Sequence, residues 1–148
     1  MFNAEKFIQT AIDDLKTKIH GKALIAFSGG VDSTVCAALV HRAIGKDLIA
    51  VHVDTGYMRK DESKFVVQMM KDMGLNTRFV DASQEYYEAL ADVEDPEKKR
   101  KIIGGKFIHI FERVAKKEHV QYLVQGTIAP DWLESGGALR DTIKSPHN

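Results

Sequence analysis

The stretch that decides the fold is Lys22-Ala23-Leu24-Ile25-Ala26-Phe27-Ser28-Gly29-Gly30-Val31-Asp32-Ser33, followed by a helical pattern to Ile44, Gly45, and then Leu48-Ile49-Ala50-Val51-His52-Val53. Two short apolar runs without polar alternation have the pattern of strands buried on both faces of a parallel sheet. Between them, the spacing predicts a helix from Ser33 to Ile44 that ends at a glycine. Strand, helix and strand within about thirty residues make a βαβ unit, whose crossover is right-handed almost without exception.

The pattern repeats outward from that unit. Upstream, Asn3 is an N-cap for a helix carrying Phe7, Ile8, Ala11, Ile12, Leu15 and Ile19, with Gly21 where a glycine C-terminal to a helix belongs. Downstream, Asp61 is placed to cap a helix through Phe65, Val66, Met69, Met70 and Met73 to Gly74, and Asn76 to Asp81 makes a third strand. A short helix over Ser83 to Leu90 follows. Asp95-Pro96 starts a longer helix with the buried stripe Ile103, Phe107, Ile110, Phe111 and Val114, weakened locally by Gly104-Gly105. Tyr122 to Gln125 is a fourth strand, ending in Gly126-Thr127. Strands alternating with helices, without an internal repeat, predict an α/β fold with a doubly wound, mostly parallel sheet and helices on both faces.

Composition bounds the rest. A chain of 148 residues is one domain's worth, and 44% hydrophobic with 28% charged residues describes an ordinary compact domain. Lys and Arg (21) balance Asp and Glu (21), so nothing in the charge favours nucleic acid as a partner. The single Cys36 excludes an internal disulfide, and the six histidines show no zinc-ligand spacing. With no signal-like start and no membrane-length apolar run, a cytoplasmic protein without a membrane partner is expected.

In doubly wound sheets ligands bind beyond the carboxyl ends of the strands, where the winding reverses, so the loops after Phe27, Val53, Asp81 and Gln125 are the places to search. Ser28-Gly29-Gly30-Val31-Asp32-Ser33 combines glycines, hydroxyls and a helix start, the ingredients of a phosphate cradle. It has neither the Walker A lysine nor the G-x-G-x-x-G spacing. Read from the glycines alone, the ordinary reading is favoured: a tight turn with Asp32 or Ser33 capping the helix.

This hexapeptide, between an apolar strand and a helix, resembles the pyrophosphate-binding loop of the N-type ATP pyrophosphatases, which are adenine nucleotide alpha hydrolase-like in fold. Further stretches are similar to the synthetase portion of the GMP synthase family: Val53 to Lys60, Glu97 to Gly104, Gln125 to Ser135, and Ile143-Lys144-Ser145. The resemblance covers most of the chain. It implies cleavage of ATP between the α and β phosphates, adenylation of XMP and displacement of AMP by ammonia to give GMP. The alternatives are a catalytically incomplete module that binds ATP or AMP, and another N-type pyrophosphatase such as a tRNA-modifying enzyme.

Roles then follow from the resemblance. Ser28, Gly29, Gly30, Val31, Asp32 and Ser33 would hold ATP, Asp32 would also hold Mg²⁺, and Val53, Asp54, Thr55 and Gly56 would border adenine and ribose. Asp131 and Glu134 would join Asp32 as catalytic acids. Their spacing of three places them on one face if Pro130 starts a helix, although first-turn acids that complement a helix dipole have the same pattern. Arg100, Gly126 and Thr127 are expected at the substrate, while Lys98, Lys99 and Lys101 have the pattern of a solvated helix face. In the family a glycine-rich, lysine-bearing loop and a dimerisation domain come after the point where this chain ends, so residues 1–148 are expected to be a truncated pyrophosphatase domain whose homodimer contacts lie beyond it. No glutaminase domain precedes the first helix, which is similar to the two-subunit enzymes that take ammonia from a separate glutamine amidotransferase.

Overall fold

A computed structural model describes residues 1–126. Four parallel strands, β1 (Ala23–Ala26), β2 (Leu48–Asp54), β3 (Asn76–Asp81) and β4 (Tyr122–Val124), lie in the order β3-β2-β1-β4. The helices are α1 (Ala4–Lys18), α2 (Val31–Ile44), α3 (Glu62–Asp72), α4 (Ser83–Leu90) and α5 (Pro96–Glu118). The predicted alternation holds throughout, and the sheet is doubly wound.

Alternation along each strand divides the core between two faces. Ala23, Ile25 and Phe27 of the β1 region, with Leu48 and Ala50 of β2, pack beneath Ala37 and Val40 of α2 and Val66 and Met70 of α3. Leu15 and Ile19, from α1 and its end, complete that side. The intervening residues Leu24, Ile49, Val51 and Val53 face Tyr86 of α4 and Ile110 of α5. The chain winds from β1 through β2 to β3 and then returns to the far side of β1 as β4. With the handedness of the crossovers constant, this reversal sends α5 to the opposite face from α2 and α3, and the adjoining carboxyl ends of β1 and β4 diverge into a crevice.

Several ends differ from expectation by a turn or less. Helix α2 begins at Val31 rather than Ser33, so half of the hexapeptide is already helical. Helix α1 stops at Lys18, three residues before Gly21, with the Ile19 amide donating to the Leu15 carbonyl. Asn3 and Asp95 cap as predicted, accepting from the amides of Lys6 at 2.9 Å and Lys98 at 2.7 Å. Asp61 does not. It occupies the N-cap position of α3 with φ 61°, but its carboxylate takes the Lys64 ammonium at 2.8 Å, and Glu62 reaches back to the Arg59 amide instead. The Gly104-Gly105 pair leaves α5 uninterrupted. Among the described residues no helix is long and apolar enough to cross a membrane.

Candidate functional site

The hexapeptide lies at the reversal of winding, where β1 ends and β4 runs beside it. Gly29 makes the turn with φ 82°, and a Cβ there would lie 2.8 Å from Val66 Cγ2 of α3, so only glycine lets the loop pack down on that helix. Gly30 is the N-cap of α2, and no side chain caps it. The first helical bond runs from the Thr34 amide to the Gly30 carbonyl at 3.0 Å. The amides before Thr34 therefore have no intrahelical acceptor, and they carry the positive end of the helix dipole.

Hydroxyls brace this end from within. Ser28 Oγ and Ser33 Oγ are 3.0 Å apart, the Gly30 amide donates to Ser28 Oγ at 3.3 Å, and the Ser33 and Thr34 hydroxyls both donate to the Gly30 carbonyl. Gly126, just past β4, closes over the loop. A Cβ at Gly126 would sit 3.2 Å from the Asp32 carbonyl carbon and 3.3 Å from the Ser33 nitrogen. Ser28, Gly30, Asp32, Ser33 and Gly126 thus share the wall of a cavity of about 650 Å³ that continues between β4 and the apolar side of α5 at Phe107 and Phe111. That volume lies within the ordinary range for small-molecule sites.

The cradle fits a polyphosphate: a glycine turn, an uncapped helix N-terminus and two hydroxyls converge on space lined mostly by apolar side chains. It also fits Mg²⁺, since Asp32 offers a carboxylate in the first turn of α2 and this ion takes few protein ligands when phosphate oxygens supply the others. The negative charge of Asp32 is felt one turn along. Burial first, and Asp32 second, push the Cys36 thiol above its ordinary pKa, so Cys36 is held as a neutral, partly buried packing group.

Other expected residues stand apart. Val53 is a core side chain on the α4–α5 face, so what it offers a ligand is backbone. Asp54 bends the chain, accepting the Gly56 amide at 2.8 Å, and Gly56 takes φ 77° against the Tyr87 ring. Tyr87, not singled out by the sequence, donates its hydroxyl to the Gly56 carbonyl at 2.8 Å and meets Tyr57 edge to face at 5.3 Å. Nothing local marks Tyr87 for this contact, because it joins residues 31 apart in the chain. Arg100 lies on an outer turn of α5, paired with Glu97 at 3.3 Å, two turns and roughly 10 Å along the helix before Phe107. Thr127, Asp131 and Glu134 lie outside the described residues.

Fold and loop together define a HUP domain of the adenine nucleotide alpha hydrolase-like class, and comparison with known proteins agrees. The arginosuccinate synthase N-terminal HUP domain family matches residues 22–94. Among solved structures, an NH3-dependent NAD synthetase from Campylobacter jejuni superposes with a TM-score of 0.75 at 14% identity, covering 99% of this chain and 64% of that one. An NMN synthetase from Francisella tularensis gives 0.72, also at 14% identity, over 89% of this chain and 58% of its own. At such identities the likeness is one of fold.

In sequence the match is closer and more particular. A subunit of the glutamine-hydrolysing GMP synthase of Methanopyrus kandleri is 53% identical over 150 aligned residues, covering all of this chain and 46% of that protein. The corresponding GMP synthase subunit of Thermococcus kodakarensis is 53% identical over 146 residues, covering 97% of this chain and 46% of its own length. The chain matches these GMP synthase subunits along all or nearly all of its length, and it spans somewhat less than half the length of those curated relatives.

Proposed function

We propose that this chain carries the ATP-cleaving part of a GMP synthase, in which XMP is aminated at the expense of ATP, with AMP and pyrophosphate as products. The observation that carries this reading is the Ser28–Ser33 loop at the β1/β4 reversal, its uncapped helix N-terminus opening on the cavity. In the reaction the C2 oxygen of XMP attacks the α-phosphorus, pyrophosphate leaves, and ammonia then displaces AMP from C2. Negative charge grows on the β-phosphate as the α–β bond breaks. The loop amides and the hydroxyls of Ser28 and Ser33 would be aimed at the departing pyrophosphate, where donors fixed in advance lower the barrier most. Asp32, together with phosphate oxygens, would hold Mg²⁺, which would supply charge neutralisation to the leaving group.

The backbone of Val53 to Gly56, braced by Tyr87, borders the nucleoside in this reading. Arg100, Gly126 and Thr127 serve XMP, and Asp131 and Glu134 act beside Asp32 near the metal and nucleotides. Ammonia is delivered by a separate glutamine amidotransferase subunit, and pairing of two copies uses a region beyond this chain. Support for the substrates comes from the names of the GMP synthase relatives, and support for ATP from the loop chemistry.

The test supplies the chain with Mg-ATP, XMP and ammonium, other acceptors running in parallel, and follows pyrophosphate and GMP. XMP-dependent formation of both products establishes the reading for this chain alone. ATP binding without turnover of any acceptor identifies it instead as a nucleotide-binding module. Asp32→Ala is expected to lose Mg²⁺-dependent ATP binding, measured by titration calorimetry; wild-type affinity in that variant would remove Asp32 from the metal site.

A further inference from the structure

His52 is buried, with 2% of its surface exposed, on the face of β2 that looks toward α3. Its Nδ1 lies 2.9 Å from the Phe27 carbonyl oxygen and its Nε2 lies 3.0 Å from Ser63 Oγ, in the first turn of α3. A carbonyl oxygen only accepts, so Nδ1 must carry a proton. In the neutral ring Nε2 is then an acceptor, and the Ser63 hydroxyl donates to it. Both nitrogens are used, and the ring stacks on its cross-strand neighbour Phe79. A buried imidazole held in this way has one tautomer and one orientation.

The carbonyl it grips has a particular place in the chain. Strand β1 ends at Ala26; the Phe27 amide still donates to the Val51 carbonyl at 2.8 Å, and the next peptide unit begins the phosphate cradle. Because a peptide is planar and trans, fixing the Phe27 carbonyl also fixes the direction of the Ser28 N–H, opposite to it, and with it the heading of the loop. Helix α3 thereby holds the cradle at two points. One is Val66 against Gly29, and the other is the relay from Ser63 through His52 to the Phe27–Ser28 peptide.

We propose that His52 is a positioning residue for the phosphate cradle: its Nδ1–H tautomer, locked by Ser63, orients the Phe27–Ser28 peptide and presets the Ser28–Ser33 loop. The phosphate part of this statement rests on the ATP-binding reading above; the ordering of the loop does not. The test uses the whole chain with His52→Phe, which keeps a ring and loses the donor, and His52→Asn, whose amide can donate from near the place of Nδ1. The double variant His52→Phe/Ser63→Ala leaves no orphaned hydroxyl, and so it keeps the experiment valid if the single variant folds poorly.

Imidazole ¹⁵N shifts are expected to report the Nδ1–H tautomer in the wild type. Backbone order parameters of Ser28, Gly29 and Gly30 should fall from about 0.85 to below about 0.6 in His52→Phe and in the double variant, with β3 and α5 unchanged, and recover in His52→Asn. Mg-ATP affinity should fall about tenfold with the loop order and return with it. An Nε2–H tautomer, unchanged loop order in both donorless variants, or loss of order that His52→Asn does not repair would each overturn the proposal. If the wild type binds no Mg-ATP, the functional reading fails, and the tautomer and loop order still decide the role of His52.

Discussion

Gly29 and Gly30 are adjacent, yet different constraints hold them. At Gly29 the backbone is left-handed and a methyl group would press into Val66 Cγ2. Gly29→Ala is therefore expected to cost roughly 1–3 kcal/mol of stability, measured by denaturant unfolding, and to weaken ATP binding by displacing the loop from α3. At Gly30 the φ of −73° suits any residue, and an added Cβ would meet only Ser28 Oγ at 3.4 Å. Gly30→Ala should cost less than about 1 kcal/mol, mostly as a poorer N-cap, while its methyl intrudes on the cradle and lowers ATP affinity. Equal stability losses in the two variants would contradict this division. The hexapeptide was legible as a loop of this kind because glycine and hydroxyl residues state their backbone needs locally. The contacts with Val66 and Gly126, which decide which glycine is structural, come from residues dozens of positions away.

Among the elements, α5 departs most from its local propensities. Gly104 and Gly105 sit in mid-helix, where glycine is disfavoured, yet the helix is continuous over 23 residues. Ile110, buried from α5, and Phe111 and Val114 beside it pack against the sheet, and the Asp95 cap with Pro96 starts the helix firmly, so packing and capping outweigh the glycine pair. A Cβ at either glycine would meet no described atom within 4 Å. Gly104→Ala and Gly105→Ala should each stabilise the chain by about 0.5–1 kcal/mol, read as a rise in Tm, and a fall in Tm would mean that these positions need the missing side chain. Strand and helix periods made the order of elements readable in advance. Their ends were less so, as with Asp61, whose carboxylate takes the Lys64 ammonium and caps no helix amide.

Across the whole molecule, Arg78 of β3 and Glu118 at the end of α5 form a two-point pair, Nε to Oε1 and Nη2 to Oε2, that ties the sheet edge to the returning helix. The hydrogen bonds from Arg78 hold the Glu118 carboxyl below the ordinary glutamate pKa. With the folded pKa depressed, the pair's contribution is present above the unfolded pKa of about 4.3 and is lost as pH falls through the lower folded value. Wild-type Tm should thus drop more steeply below about pH 4 than that of Glu118→Gln, and parallel curves would show that the pair adds nothing. Such joints depend on folding, as do His52 with Phe27, Tyr87 with Gly56, and Gly126 with the start of α2, each linking residues at least 25 apart. The sequence by itself determined the elements, their alternation and the glycine turn that leads from β1 into α2, because apolar period, capping and glycine placement act over a few neighbouring residues. Only the tertiary structure decided that β4 lies beside β1 rather than β3, that α5 occupies the face opposite α2 and α3, and that the cradle opens between them. Those outcomes depend on how burial of both sheet faces is divided among all the helices at once, and no local window of residues contains that sum.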